Sequence, residues 1–376
     1  MTTPLPLIDV QAQRAVIGDE IDARMAAVVE HGKFIMGPEV AEFEAAVAAF
    51  VGVDGLHAIG CANGTDALVL ALQALGLQPG DGVICPSFTF VATAEAVALL
   101  GGRPVFADVG EGGFNLSAES VRRAAKEAEA AGIPIAGICP VDLFGVPADY
   151  DGLSTLADEL GCWILADAAQ SFGGSQGGRR VGALARVTTT SFFPAKPLGC
   201  YGDGGMVFTT DPALAELLES LRVHGKGTEK YDNVRIGQNS RLDTLQAAVL
   251  LPKLGVLGDE IERRNAVASR YGAALADYVA TPSVDDGSVS AWAQYTVITD
   301  RRAELQAGLS AAGIGCAVYY PTPLHRQTGY RHFHLDGQPL VRTERLCEQV
   351  LSLPMHPYLT EDETGRVIAV VTRTLG

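Results

Sequence analysis

The sequence predicts an α/β fold: a large first domain with a mostly parallel, seven-stranded sheet flanked by helices, then a smaller C-terminal α/β domain. Three observations carry this. Up to about residue 210, short apolar runs alternate with helical patterns at close spacing. Several of those runs are apolar on both parities, as strands covered on both faces must be. The 376 residues also exceed one ordinary core, which places a large domain at 1–255 and a small one at 256–376.

The elements follow in order. Residues 38–50 set Val40, Phe43, Val47 and Phe50 on one helical face, with Pro38 suited to the first turn. Residues 65–75 repeat the pattern with Leu68, Leu72 and Leu75. Strands are expected at 57–61, 83–85, 104–107, 135–139, 163–166, 187–192 and 206–209. In such sheets ligands bind beyond the carboxyl ends of the strands, and Asp167 and Ser191 fall there. Residues 221–241 change character, being rich in glycine and bearing His224, Lys226, Lys230, Arg235 and Arg241. A loop of that length is functional or an interface arm. Helices at 243–254 and 259–278, a strand at 294–298 and a helix at 302–311 complete the pattern.

Composition narrows the function. A net charge of −16 opposes general binding to nucleic acid or membrane surfaces. Seven cysteines, an odd number without a CxxC pair, fit a reducing cytoplasm better than a disulfide scaffold. The start Met1-Thr2-Thr3-Pro4-Leu5 lacks the basic and apolar regions of a signal peptide. No apolar run approaches the roughly 20 residues of a membrane span. The expectation is a soluble cytoplasmic protein.

The most informative stretch is Thr190-Ser191-Phe192-Phe193-Pro194-Ala195-Lys196-Pro197-Leu198-Gly199. Burial in an apolar run disfavours a charged ammonium and lowers its pKa, the state an amine needs to condense with an aldehyde. With Asp167 upstream, Lys196 forms the pair that pyridoxal phosphate (PLP) chemistry requires: an amine for the aldehyde, a carboxylate for the ring nitrogen. Alone, the lysine reads as a snorkelling side chain and the aspartate as a helix cap. Gln170 can donate to the phenolic oxygen. The run Cys61 to Leu68 passes from a strand through a Gly turn into a helix, so free N–H groups and the helix dipole face an anion. Gly64 and the hydroxyls of Thr65 and Ser191 would line that cradle; Asn63 or Thr65 as a plain cap is the competing account. Alternation puts Phe88 and Phe90 on one side of a strand end, one to stack on a flat ring and one for the core. His332-Phe333-His334 lacks a third ligand at fixed spacing and reads as a solvated loop, so no metal is expected. Neither GxGxxG nor Walker A occurs.

These residues together resemble the DegT/StrS sugar aminotransferases, within the fold-type-I PLP enzymes. The likeness runs nearly end to end, through Gly32-Lys33-Phe34-Ile35-Met36-Gly37-Pro38-Glu39, 62–68, 86–95, Asp167-Ala168-Ala169-Gln170, 191–205, Asn239-Ser240-Arg241-Leu242-Asp243, Tyr319-Tyr320-Pro321 and 351–357. The resemblance implies that Lys196 holds the aldehyde, Asp167 the ring nitrogen and Gln170 the phenolic oxygen. It assigns the phosphate to Gly64, Thr65 and Ser191, and ring stacking to Phe90. It further implies that Asn239 reaches the cofactor phosphate of a neighbouring subunit, hence a homodimer with shared sites. Substrate contacts fall to Lys33, Arg241, Tyr319, Tyr320 and His325. Related sugar dehydratases replace the lysine with histidine, so Lys196 favours amino transfer from L-glutamate, with 2-oxoglutarate as co-product. The nearest likeness is to enzymes acting on C3 of a UDP-linked 2-acetamido-3-keto-hexuronic acid, where Arg241 would clamp the carboxylate. Tyr319, where that subgroup can carry histidine, leaves other nucleotide-linked keto sugars open. A PLP-dependent sugar dehydratase and a non-catalytic PLP-binding regulator are the remaining alternatives.

Overall fold

The expected strands of the first domain pair into one sheet, because their continuous apolar runs must be covered on both faces. They are β1 (His57–Cys61), β2 (Gly82–Pro86), β3 (Arg103–Ala107), β4 (Ile135–Ile138) and β5 (Trp163–Asp167). After a side hairpin, β6 (Ser175–Gln176) and β7 (Arg179–Arg180), come β8 (Val187–Ser191) and β9 (Gly205–Thr209). The sheet order is β1-β9-β8-β5-β4-β2-β3; β9 runs antiparallel to both neighbours and the other pairings are parallel. The chain ends of β5 and β8 thus lie side by side, with Asp167 opposite Thr189. The computed structural model describes residues 4–229, 231–335, 337 and 339–376. Met1 to Thr3, read above for a leader, and Lys230 of the basic segment lie outside them.

Helices α1 (Val10–His31), α2 (Pro38–Val51), α3 (Gly64–Ala74), α4 (Ala92–Leu99), α5 (Ala118–Ala130), α6 (Tyr150–Leu160) and α7 (Pro212–Leu221) accompany the sheet. Pro38 takes the first turn of α2, and Val40, Phe43 and Val47 are its buried face. Asn63 caps α3 by accepting from the Asp66 N–H at 2.8 Å.

Two helices were expected across 243–278; the structure has one, α8 (Thr244–Leu275), which runs through Pro252. Gly255 and Gly258, just past that proline, cost about 1 kcal/mol each against alanine. Tertiary packing outweighs them. Leu250, Leu254, Leu257 and Ile261 sink into one core cluster with Phe192, Leu198 and Met206, whereas Gly255 and Gly258 face open space. Past α8 lie β10 (Ser288–Val289), β11 (Tyr295–Ile298), α9 (Arg302–Ala311), α10 (Val341–Gln349), β12 (Val350–Leu353) and α11 (Glu361–Leu375). β11 and β12 form an antiparallel pair over a separate cluster of Tyr271, Tyr295, Val297, Leu351 and Val367. Leu5 packs into that cluster, its N–H bonding the Gly313 carbonyl at 2.9 Å.

The basic segment after α7 doubles back on itself through bridges Val223↔Asn239 and Lys226↔Asn233. Its tip holds Tyr231, Val234 and Ile236 in solvent, Ile236 being 90% exposed. Among the described residues no helix is long and apolar enough to cross a membrane.

Candidate active site

A cavity of about 470 Å³ opens where the carboxyl ends of β5 and β8 meet the start of α3 and the loop after β8. It gathers nine of the residues singled out in the sequence: Lys196, Asp167, Gly64, Thr65, Phe90, Gln170, Ser191, Tyr319 and Tyr320.

Asp167 is the last residue of β5 and only 4% exposed. Oδ2 accepts from Thr93 Oγ1 at 2.7 Å and Oδ1 from the Ala169 N–H at 3.2 Å. Burial pushes its carboxyl upward, while these donors and the nearby Lys196 charge oppose the shift. Lys196 answers in kind: burial pushes its ammonium down and the Asp167 charge pulls it up. Each group therefore favours the other's charged form in a site that otherwise disfavours charge. Lys196 sits in a turn, its N–H bonding the Phe193 carbonyl at 2.8 Å. Beneath that loop Lys253 of α8 donates to the Gly199 carbonyl at 2.6 Å and stands 4.5 Å from the Tyr201 ring. Burial lowers its pKa to about 8.

The first turn of α3 and the end of β8 touch. A Cβ on Gly64 would stand 2.7 Å from the Ser191 Cβ, a separation real side chains do not adopt, so only glycine fits. Asn63 does cap the helix, as the competing account held, but it takes the Asp66 N–H. Gly64 and Thr65, at the open end, remain to line the cavity. That cradle can hold an anion, and the acid–amine pair can hold a flat cation-bearing ring with an aldehyde. The donor set fits PLP.

The strand ends at Pro86, so period-two alternation does not reach the two phenylalanines. Phe88 is buried against Phe114 and Phe144, while Phe90 is 53% exposed and lines the cavity. Gln170 accepts the Phe144 N–H on Oε1 at 2.6 Å and reaches Tyr320 Oη from Nε2 at 3.4 Å. Four expected residues stand elsewhere. Lys33 and Asn239 are exposed and Arg241 half-buried on the surface. The segment around Lys33 is tied to the one after Arg241 by the Ile35↔Asp243 bridge. His325 is buried, with Nδ1 on Ser87 Oγ at 2.7 Å and Nε2 on Glu344 Oε1 at 3.2 Å, and does not line the cavity. Sequence reasoning gave no role to Thr93, Lys253 or Gln294, a further lining residue. The 86–95 match contained Thr93, but no spacing rule marks it as the partner of a strand-end aspartate.

The sequence pattern of the DegT/DnrJ/EryC1/StrS aminotransferase family matches residues 15–372. The UDP-2-acetamido-2-deoxy-3-oxo-D-glucuronate aminotransferase of Pseudomonas aeruginosa is 45% identical over 369 residues, 98% of this chain and 99% of that protein. A DegT DnrJ EryC1 StrS aminotransferase from Brucella abortus superposes with a TM-score of 0.96 at 48% identity, over 99% of this chain and 100% of that one. NtdA from Bacillus subtilis, solved with its PMP cofactor, gives 0.89 at 28% identity, over 100% and 86% of the two chains. The chain belongs to the DegT/DnrJ/EryC1/StrS family of PLP-dependent aminotransferases.

Proposed function

We propose that this enzyme transfers the amino group of L-glutamate to the C3 ketone of a UDP-linked 2-acetamido-3-keto-hexuronic acid, in the cytoplasm, for polysaccharide or O-antigen sugar synthesis. The observation carrying the reading is the Lys196–Asp167 pair in one cavity. The end-to-end likeness to an enzyme named for that sugar supports the substrate.

PLP, when bound, supplies an electron sink that acidifies the donor's α-carbon. The chain's residues do the rest. Lys196 would hold the aldehyde between turnovers, and its neutral amine would move the proton off the donor's α-carbon to the cofactor in one half-reaction and from the cofactor to the sugar carbon in the other. Asp167, braced by Thr93 and the Ala169 amide, would pair with the ring nitrogen and keep it protonated. Gly64, Thr65 and Ser191 take the phosphate, Gln170 the phenolic oxygen, and Phe90 lies against the ring. Tyr319 and Tyr320 wall the side from which the sugar enters. Gly64→Ala is expected to weaken PLP binding to the apoprotein about tenfold, through a clash costing roughly 1–3 kcal/mol. A fluorescence titration that finds unchanged affinity would remove the phosphate from this turn.

The same reading makes the functional unit a homodimer. The exposed Phe34, Ile35 and Met36 and the apolar tip of the arm after α7 offer a face for a second copy. Lys33, Asn239 and Arg241 of each chain would then serve the partner's cavity, Arg241 meeting the sugar carboxylate.

The test is a thermal-shift screen of nucleotide sugars against the pyridoxamine-loaded protein. A UDP-linked 2-acetamido-hexuronic acid should raise the Tm by several degrees and dTDP-linked deoxy sugars should not. The reverse order would sink the substrate assignment. Mass analysis of the product should find the donor's nitrogen retained in the sugar; loss of water without nitrogen would make the enzyme a dehydratase.

A further inference from the structure

Bonded to the residue after Gln170, and outside the cavity lining, lies a buried carboxylate to which the reaction as described gives no part. Asp142 is completely buried. Oδ1 accepts from the Ala148 N–H at 2.8 Å and from Tyr150 Oη at 2.7 Å; Oδ2 accepts from Ser171 Oγ at 2.6 Å. Its own N–H donates to the Asp167 carbonyl at 3.0 Å. The carboxylate therefore pins both ends of the 142–148 loop, and pins that loop to the residue following Gln170.

The turn held in this way has an unusual backbone. Phe144 adopts φ +61°, a left-handed conformation that a non-glycine residue keeps only when its surroundings impose it. Asn115 clasps the turn, accepting the Leu143 N–H at 3.0 Å and donating to the Val146 carbonyl at 2.8 Å. Gly145, at φ +102°, lies against the 291–294 segment, where an added Cβ would stand 2.6 Å from the Trp292 nitrogen. The Gly145 and Phe144 carbonyls accept from the N–H groups of Ala291 and Gln294 at 2.9 and 3.3 Å.

One chemical consequence reaches the site. The forced conformation aims the Phe144 N–H at Gln170, and an N–H can be met only by the oxygen of a carboxamide. Oε1 is thereby committed at 2.6 Å. The edge left for the cavity is Nε2, a donor, already within 3.4 Å of Tyr320 Oη. Without the turn either edge could face inward, and an inward oxygen would repel a phenolate.

We propose that Asp142 is a positioning residue which, through the turn ending at Gly145, fixes the Gln170 carboxamide with its donor edge toward the cofactor. This rests on the reading of Gln170 as the contact to the phenolic oxygen. Burial pushes the Asp142 carboxyl up to about 7, with the Asp167 charge adding to it and the three donors opposing. Both bonds to Ala148 and Tyr150 fall on one oxygen, and the Ser171 hydroxyl can accept as well as donate, so asparagine, with its oxygen on the first pair and its NH2 toward Ser171, should substitute.

The test reads the pH titration of the visible absorbance of the PLP-loaded protein. A donor at the phenolic oxygen stabilises negative charge there, so its loss makes the chromophore keep its proton to higher pH. Asp142→Ala should raise the midpoint by about one unit, the worth of a hydrogen bond to a charged group. Gln170→Ala should do the same, Asp142→Asn should stay near wild type, and Ser171→Ala should move the midpoint the same way by less. Asp142→Ala placed on Gln170→Ala should add nothing, because both act through one contact. If Asp142→Ala does not fold, Ser171→Ala carries the comparison in both backgrounds. An equal shift with and without Gln170, no shift in Asp142→Ala or Ser171→Ala while Gln170→Ala does shift, or an Asn variant behaving like Ala would overturn the proposal. A wild-type protein that takes up PLP without a titrating visible band, or a Gln170→Ala protein without a shift, would instead remove the cofactor reading of Gln170 beneath it.

Discussion

Lys196→Ala is expected to abolish amino transfer, with a loss on the order of 10⁴-fold or more, since on the proposed reading one side chain supplies both covalent attachment and proton movement. The effect should exceed that of any other substitution in the cavity. Lys196 lines the cavity from a turn braced by the Phe193 carbonyl, and Lys253 supports the same loop from below, so shortening the side chain leaves the backbone in place. Stability should change little: burial disfavours the ammonium, and its removal frees the site of an unfavourable charge while depriving Asp167 of a favourable one. The variant should still bind PLP through the cradle at α3 but lose the shifted visible band. Borohydride treatment of the wild-type protein should leave a pyridoxyl label on position 196 in peptide mass analysis. A label elsewhere, or an active alanine variant, would end the assignment.

The large sheet was legible because parallel strands buried on both faces write themselves as uninterrupted apolar runs, and β1 to β5, β8 and β9 fall within a residue or two of the expected spans. Asp167 and Lys196 were legible because each breaks such a run with a charge at its end. Features set by tertiary contact were not. Pro252 and two glycines look like a helix boundary until Leu250, Leu254, Leu257 and Ile261, on either side of them, are seen to face one core. Phe88 and Phe90 look equivalent until the strand is seen to end before them. Thr93 and Asp142 act across 74 and 29 residues of sequence, on Asp167 and Ser171, and no local pattern encodes a pairing of that separation. His325 illustrates the converse. A histidine near Tyr319 and Tyr320 in sequence is occupied by Ser87 and Glu344 in space.

Asp167→Asn should give the second-largest loss, about 10²–10³-fold in kcat, the usual consequence of removing one preorganised charge from where charge develops. The substitution keeps the shape, and an amide oxygen can still accept from Thr93 or from the Ala169 amide, so the end of β5 has no reason to move. What disappears is the negative charge that supports the Lys196 ammonium against burial and that, on the proposed reading, holds the ring nitrogen protonated. PLP affinity should fall far less than kcat, because the phosphate cradle lies on α3 and β8. Thr93→Val separates the two possible causes. It takes away the 2.7 Å donor but leaves the carboxylate, so Asp167 should be pushed further up by burial, and kcat should drop by about tenfold at most. Single-turnover kinetics with L-glutamate measure the half-reaction in which that charge is needed. If the asparagine and valine variants were to lose rate equally there, packing around Asp167 would be the operative factor, and its charge would carry no part of the catalysis.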